Sequence, residues 1–139
     1  MDVYKLPADI IASQGGYTHK VTVTSGDLTA TTTAQAVTLL SIPAGGRVGN
    51  VAARPKTPFA HATATTFTAT VGVVGTAAAH LGSVNCITSA SVALAAATNV
   101  AYTAATNLNA TFTLDASALN ATTAGSVDFY VQLSDLDNI

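Results

Sequence analysis

The sequence predicts an all-β protein: a single antiparallel β-sandwich or jelly-roll-like domain with an extended N-terminal arm. The first observation is composition, since Ala and Thr make up more than a third of the 139 residues, Glu and Trp are absent, and only 9% of the residues are charged. Thr and Val are β-branched and favour strands. The second observation is a series of short segments with alternating apolar and polar residues, separated by Gly, Pro, Asn and Asp. The length is that of one ordinary domain.

Residues 1–17 are predicted to form the arm, and residues 18–139 the sandwich domain. Pro7 and the pair Gly15-Gly16 interrupt the arm, and such residues break regular structure. Its apolar side chains are too numerous for a free tail in water, so we expect the arm to dock on a neighbouring subunit. The candidate intersubunit contacts are Tyr4, Leu6, Ile10 and Ile11. The alternative is that the arm folds back and covers an edge of its own sheet.

The first half of the sandwich domain contains three predicted strands. One begins near Thr18, where apolar and polar residues start to alternate. The segment Ala34–Ile42 is apolar on both faces, which is typical of a central or interface strand. Residues 47–54 are predicted to form the third strand. Pro55 and Pro58 are expected to bracket a loop, because proline cannot donate a hydrogen bond to a central ladder.

The second half begins and ends with clear strand patterns. Residues 64–74 alternate between an apolar and a threonine-rich face, whereas the Ala-rich segment 77–105 fits a short helix or strands of small residues equally well. Two further strands close the chain, and Asp128 and Tyr130 fall on the polar face of the second. Their predicted core-facing residues are Leu108, Ala110, Phe112, Leu114, Val127, Phe129, Val131 and Leu133.

No motif for catalysis or for binding a metal ion or cofactor stands out. His19, His61 and His80 lie far apart, and none belongs to a zinc-binding spacing. The chain lacks the G-x-S-x-G motif of many hydrolases and the glycine-rich loops that bind phosphates. The single cysteine, Cys86, has no flanking cation to lower its pKa, so a small buried hydrophobe is the expected role. These features predict a protein that is not an enzyme and carries no cofactor.

Charge and hydropathy restrict the partners. Five basic and seven acidic residues give a formal net charge of −2, and five cations are too few to neutralise a row of phosphates, so direct nucleic-acid binding is not expected. The sequence shows no signal peptide and no uninterrupted apolar run long enough for a membrane span. Synthesis and folding in a cytoplasm are therefore expected. Low charge together with a core of small residues favours a protein that works in an assembly.

Several segments resemble small structural proteins of tailed bacteriophages. In the front half they are Asp27-Leu28-Thr29, Ala36-Val37-Thr38-Leu39, Ile42-Pro43-Ala44-Gly45, Val48, Val51-Ala52 and Thr57-Pro58-Phe59. In the back half they are Ala110-Thr111-Phe112-Thr113, the turn from Leu119 to Thr123, and Ala124-Gly125-Ser126-Val127-Asp128-Phe129-Tyr130-Val131. The resemblance spans roughly residues 18–134, and the Ala-rich middle departs from it most.

The resemblance implies an all-β virion protein of the capsid decoration or cement type. Such a protein would be made in the cytoplasm of the host bacterium and bind the major capsid protein lattice on the head, with a dimer and a trimer both open. A neck, portal-associated or tail component is the alternative within the same class. A module that binds host glycans is the alternative from another class, since aromatic rings stack on sugars. The tyrosines available for this are Tyr4, Tyr17, Tyr102 and Tyr130.

Overall fold

The computed structural model describes residues 2–13, 16–87, 93–94 and 100–135. These residues form mainly β-strands, with one short α-helix and two 3-10 turns at Ser25–Asp27 and Leu119–Ala121. The helix and strands, in chain order, are β1 (Asp2–Lys5), α1 (Ala8–Ser13), β2 (His19–Thr24), β3 (Ala34–Ile42), β4 (Gly46–Ala60), β5 (Phe67–Val73), β6 (Thr76–Asn85), β7 (Ala93–Leu94), β8 (Val100–Ala101), β9 (Thr106–Leu114) and β10 (Ala124–Asp135).

The strands form two antiparallel sheets that pack face to face. The larger sheet has the order β1-β2-β10-β4-β7, and β8 also pairs with β4. The smaller sheet has the order β3-β9-β5-β6. A common hydrophobic core lies between the two sheets. The predicted all-β antiparallel sandwich is therefore confirmed.

Four phenylalanines form the centre of the core. The ring centroids of Phe59 and Phe67 are 4.9 Å apart, those of Phe67 and Phe112 are 6.4 Å apart, and those of Phe112 and Phe129 are 6.2 Å apart. These edge and offset contacts add to the energy of burial. The predicted core faces of the last two long strands are confirmed, because all of their apolar residues are buried except Leu133, which packs partly against the core.

The predicted loop between Pro55 and Pro58 is wrong, because both prolines lie inside strand β4. The register of β4 against β10 shifts twice where β4 passes through residues 55–60. Such irregularities tolerate proline, since a bulged ladder has positions at which no N–H donor is required. The chain therefore stays extended through a sequence that local rules assign to a loop.

Strand β3 has the predicted bounds but a different place. It lies at an edge of the smaller sheet, so the prediction of a central strand is wrong, and the alternative of an interface strand stays a prediction. The apolar run has a local cause, because the pairing of β3 with β9 contains a bulge between Thr38 and Leu40. Leu39 is buried and Leu40 packs partly against the core, so the bulge allows two successive leucines to contact the core.

The Ala-rich segment 77–105 is partly resolved into strands. Residues 77–85 continue β6, which pairs with β5, and residues 93–94 and 100–101 pair with β4. Residues 88–92 and 95–99 lie outside the described part of the chain. No helix in the described residues is long and apolar enough to cross a membrane.

Candidate assembly surfaces

The three histidines lie apart in the fold, and the side chain of each contacts a different group. The Nε2 atom of His61 lies 3.0 Å from the Ala118 carbonyl oxygen, and the Nε2 atom of His80 lies 2.6 Å from the Tyr102 hydroxyl. The Nδ1 atom of His19 lies 2.7 Å from the hydroxyl of the preceding threonine. Within the described residues, no three His, Cys, Asp or Glu side chains are grouped so that they could hold a metal ion.

Burial changes the proton affinity of several of these groups. Desolvation lowers the pKa of His80, and desolvation together with the nearby Lys5 charge lowers the pKa of His19. The predicted burial of Cys86 is confirmed, and desolvation raises the pKa of its thiol to about 12. A thiol with that pKa is almost fully protonated at neutral pH, so it is a poor nucleophile.

One open groove lies at the end of the sandwich where β3 turns into β4. Its lining includes Pro43, Val74 and Ala105, and none of its lining side chains is ionisable. Val74 is 82% exposed at the turn between β5 and β6. The hydroxyls of Ser41 and Thr106 line this groove, and its lining holds no acid or base that could activate them.

The N-terminal segment lies at one edge of the larger sheet. Strand β1 pairs with β2, and the Leu6 N–H donates to the Thr18 carbonyl oxygen at 2.8 Å. Residues 2–5 thus cover the edge of their own sheet, which is the alternative that the sequence left open. The same residues still expose apolar surface to solvent, so intersubunit contact by this segment stays a prediction.

The exposure of the four candidate contacts differs. Tyr4 is 53% and Ile10 is 39% exposed, whereas Leu6 and Ile11 are half-buried. Sequence reasoning missed Val3, which is 47% exposed. Val3 lies opposite the buried Val21 in the ladder, on the side of the sheet that faces the core. β1 is the outermost strand of the larger sheet, and Val3 is only partly covered there.

The other face of the larger sheet points away from the core, and Asp128 lies near its centre. The sequence places Asp128 on an exposed polar face, yet its relative exposure is 1%, so this prediction is wrong about burial. The Thr22 hydroxyl donates to its Oδ1 atom at 2.7 Å. The Nζ atoms of Lys20 and Lys56 lie 3.8 and 3.7 Å from Oδ2. The aliphatic stems of long cationic side chains can cover a neighbour while their charged ends stay in water.

Most of the cations of the chain lie on this outward face. Lys20 and Arg54 are the register partners of outward-facing residues of β10, and Lys56 reaches Asp128. The Arg47 guanidinium lies 3.2 Å from the Ser134 hydroxyl. The next residue of β4, Val48, is buried in the core, so Arg47 faces outward. We call this surface the cationic face, and it is defined by Lys20, Arg47, Arg54 and Lys56.

Aromatic side chains accompany the cations on the cationic face. The ring centroids of Tyr17 and Tyr130 are 6.1 Å apart, and Tyr130 is the register partner of Lys20. β1 pairs with the other edge of β2, and there Tyr4 is also a register partner of Lys20. The sequence singled out these tyrosines one by one but could not group them, because they lie on β1, on β10 and in the loop before β2.

Comparisons with known proteins yield a fold likeness. No protein-family model matches the chain, and no curated protein matches it. A chain in the solved structure "Cyanophage Pam1 capsid asymmetric unit" is similar, with a TM-score of 0.55 and 22% sequence identity. The match covers 82% of this chain and 80% of that chain. The two chains therefore share a fold over most of their length.

Proposed function

We propose that the protein is a non-enzymatic structural component of a tailed-bacteriophage virion, of the capsid decoration or cement type. In this role it binds the lattice of the major capsid protein on the head and stabilises the head. The observation that carries the proposal is the fold likeness to a chain of a cyanophage capsid asymmetric unit. The likeness covers about four-fifths of both chains, so the two chains are nearly equal in length.

The side chains support a role in assembly better than a role in catalysis. In the part of the chain that the structure describes, the histidines have local structural contacts, and Cys86 is buried and protonated. The exposed groups include apolar, aromatic and cationic side chains on sheet surfaces. Such groups suit contacts with other proteins of the virion.

The N-terminal segment is the proposed intersubunit contact. Tyr4, Leu6, Ile10 and Ile11 contact a neighbouring protein, which is the major capsid protein, another virion protein or a second copy in a homo-oligomer. The exposed fractions of Tyr4 and Ile10 support this proposal, since both are large apolar side chains at a sheet edge. Pairing of β1 with β2 orders the segment in advance, which reduces the entropy lost on docking.

Quantification of the protein in purified virions tests the proposed function. A decoration protein is expected in a copy number comparable with that of the major capsid protein. A neck, portal-associated or tail component is expected in far fewer copies, and that result would assign the protein to one of those places. Absence from virions would contradict both structural roles.

A pair of surface variants tests the proposed contact. The double variant Tyr4→Ser/Ile10→Ser removes exposed apolar surface, so we expect a normal melting temperature and weaker retention on particles. Val74→Ser is the matched control, since Val74 is also exposed but lies at the turn between β5 and β6. Equal retention of the double variant and the wild type would contradict the contact.

The pair Tyr17 and Tyr130 favours a second candidate function, the binding of host glycans on the virion. Two neighbouring rings on an outward sheet surface can stack on a sugar ring. A glycan array probed with the isolated protein tests this function, with Tyr130→Ala as the variant expected to lose any signal. No binding by the wild type would eliminate it.

A further inference from the structure

We infer that the cationic face is a docking surface for an acidic protein surface, and that carboxylates of the partner bind between Arg54 and Lys56. The inference rests on the proposed function, because the partner is then the shell of the capsid. It adds the face that docks and the chemistry of the partner. Its basis is the placement of charge on the larger sheet.

The first step is the asymmetry of charge. The chain carries a formal net charge of −2, yet four of its five cations belong to the cationic face. The fifth, Lys5, is the register partner of His19 on the other side of the sheet. Among the described residues, Asp2 and Asp128 lie on this face, and the Asp27 carboxylate accepts hydrogen bonds at its rim, where β2 ends. The face is therefore positive on a negative protein, which orients an approaching acidic surface.

The second step is the imbalance of charge at the centre of the face. The single carboxylate of Asp128 lies near two ammonium groups, those of Lys20 and Lys56. Arg54 lies beside it in the ladder, is exposed, and has no ion pair or hydrogen bond from its side chain within the described residues. Among the described side chains, two positive charges at this place thus lack a counter-charge. Asp2 is the partner of Thr22, on the far side of β2 from this place.

The third step concerns the kind of partner. A nucleic acid presents a row of phosphates, whereas here three carboxylates interrupt a small set of cations. The cationic face also carries Tyr4 and Tyr130. Arg and Tyr are the residue types that contribute most to protein interfaces. The arrangement therefore fits a folded protein surface with exposed Asp or Glu better than a nucleic acid.

The test measures binding to shell particles built from the major capsid protein of the same phage, without this chain. We expect the variant Arg54→Glu to weaken binding by about tenfold or more, since it places a like charge against the partner carboxylates. Thr76→Glu/Ser83→Glu is the matched control, because it changes the net charge equally at two exposed positions of β6 in the smaller sheet, and it is expected to bind like the wild type. Should Arg54→Glu fail to fold, Arg54→Gln and Ser83→Glu form a second matched pair, since each changes the net charge equally.

The outcomes separate this inference from the proposed function. Failure of the wild type to bind the particles would contradict the proposed function. Wild-type binding with equal binding of the Arg54 variants, or an equal loss in the matched β6 control, would overturn the inference and leave the function standing. Tight binding of the wild type to a short DNA duplex, lost in Arg54→Glu, would assign the face to nucleic acid and also overturn it. Wild-type binding to particles that weakens as NaCl is raised, with loss only in the Arg54 variants, would support it.

Discussion

At the scale of single residues, Asp128 has the least expected environment. It sits on the outward side of a sheet and is nevertheless almost fully buried. Its Oδ1 atom accepts a hydrogen bond from Thr22, and its Oδ2 atom has two ammonium groups near 3.7 Å but no hydrogen bond. A buried charge is tolerated when opposite charges and donors surround it. Asp128 therefore organises the centre of the cationic face.

Replacing Asp128 tests this role. Asp128→Ala leaves the Thr22 hydroxyl without its acceptor and the two lysines without a counter-charge, so we expect the free energy of unfolding to fall by about 1–3 kcal/mol. Asp128→Asn keeps an oxygen acceptor for Thr22 and is expected to cost less. Urea denaturation of both variants provides the measurement, and an alanine variant as stable as the wild type would refute the role.

His80 predicts a dependence of stability on pH. Burial lowers the pKa of His80 below the ordinary histidine value of about 6.5, so between the two pKa values the unfolded chain binds a proton that the folded chain does not. The contribution of His80 to stability is complete above pH 6.5 and is lost as the pH falls through the lower, folded pKa. Denaturation curves between pH 7 and pH 5 should show this loss, with a shallower slope for His80→Gln. The same slope in both proteins would assign the effect to other groups, His19 among them.

At the scale of whole elements, the N-terminal segment matters most for function. Strand β1 supplies a ladder partner for β2 and forms the outer edge of the larger sheet. An edge strand that is lost exposes the backbone groups of the next strand to pairing with other chains. The same element thus covers an edge and presents Tyr4 to solvent.

Deleting residues 1–14 separates these two contributions. Because β1 pairs with β2 along its full length, we expect the truncated protein to have a lower melting temperature and a stronger tendency to aggregate. Melting curves and light scattering are the measurements. A truncated protein that melts normally but no longer binds particles would show that the segment acts mainly between subunits. Normal melting together with normal binding would contradict both contributions.

The contact between β9 and β10 supports a second prediction at this scale. Phe112 and Phe129 are fully buried, and their rings meet edge to face. Phe129→Ala is expected to lower the free energy of unfolding by about 3–5 kcal/mol, since it removes buried apolar surface and leaves a cavity. Tyr130→Ala, one residue further along β10, changes an outward-facing side chain and is the control expected to cost much less. Similar losses for both variants would mean that the two faces of β10 are assigned wrongly.

At the scale of the whole molecule, two sheets of different width enclose a core of small and medium-sized side chains. Alanines and valines make up much of this core, with the phenylalanine cluster at its centre. Each small side chain buries little apolar area, so the core stabilises the fold less per residue than one rich in Leu and Phe. No metal centre among the described residues adds to that stability.

Metal removal provides the prediction at this scale. Prolonged dialysis against a chelator is expected to leave the melting temperature unchanged, because the histidines and Cys86 have structural contacts within the fold. Metal content measured on the purified protein provides the control. Stoichiometric zinc, or a melting temperature that falls on chelation and recovers on readdition, would contradict the prediction.

For β2, β9 and β10 the sequence by itself determined the strand and its core face, whereas it assigned part of β4 to a loop and left residues 77–105 open. In β2, β9 and β10 the alternation of apolar and polar residues is a local property, so it correctly predicts that Val21, Phe112 and Phe129 are buried. The absence of familiar catalytic motifs and the scarcity of charge are also local or compositional. They suffice to predict a protein that works in an assembly.

Only the tertiary structure decided which strands are neighbours, and the candidate surfaces follow from that. Thr22 and Asp128 are 106 residues apart in sequence, and their hydrogen bond exists because β2 lies beside β10. The burial of Asp128, the grouping of the cations and the edge position of β3 depend on the same choice of neighbours. Alternation along one strand indicates which side of the sheet a residue faces. It does not indicate which strand, or which residue of that strand, pairs with it.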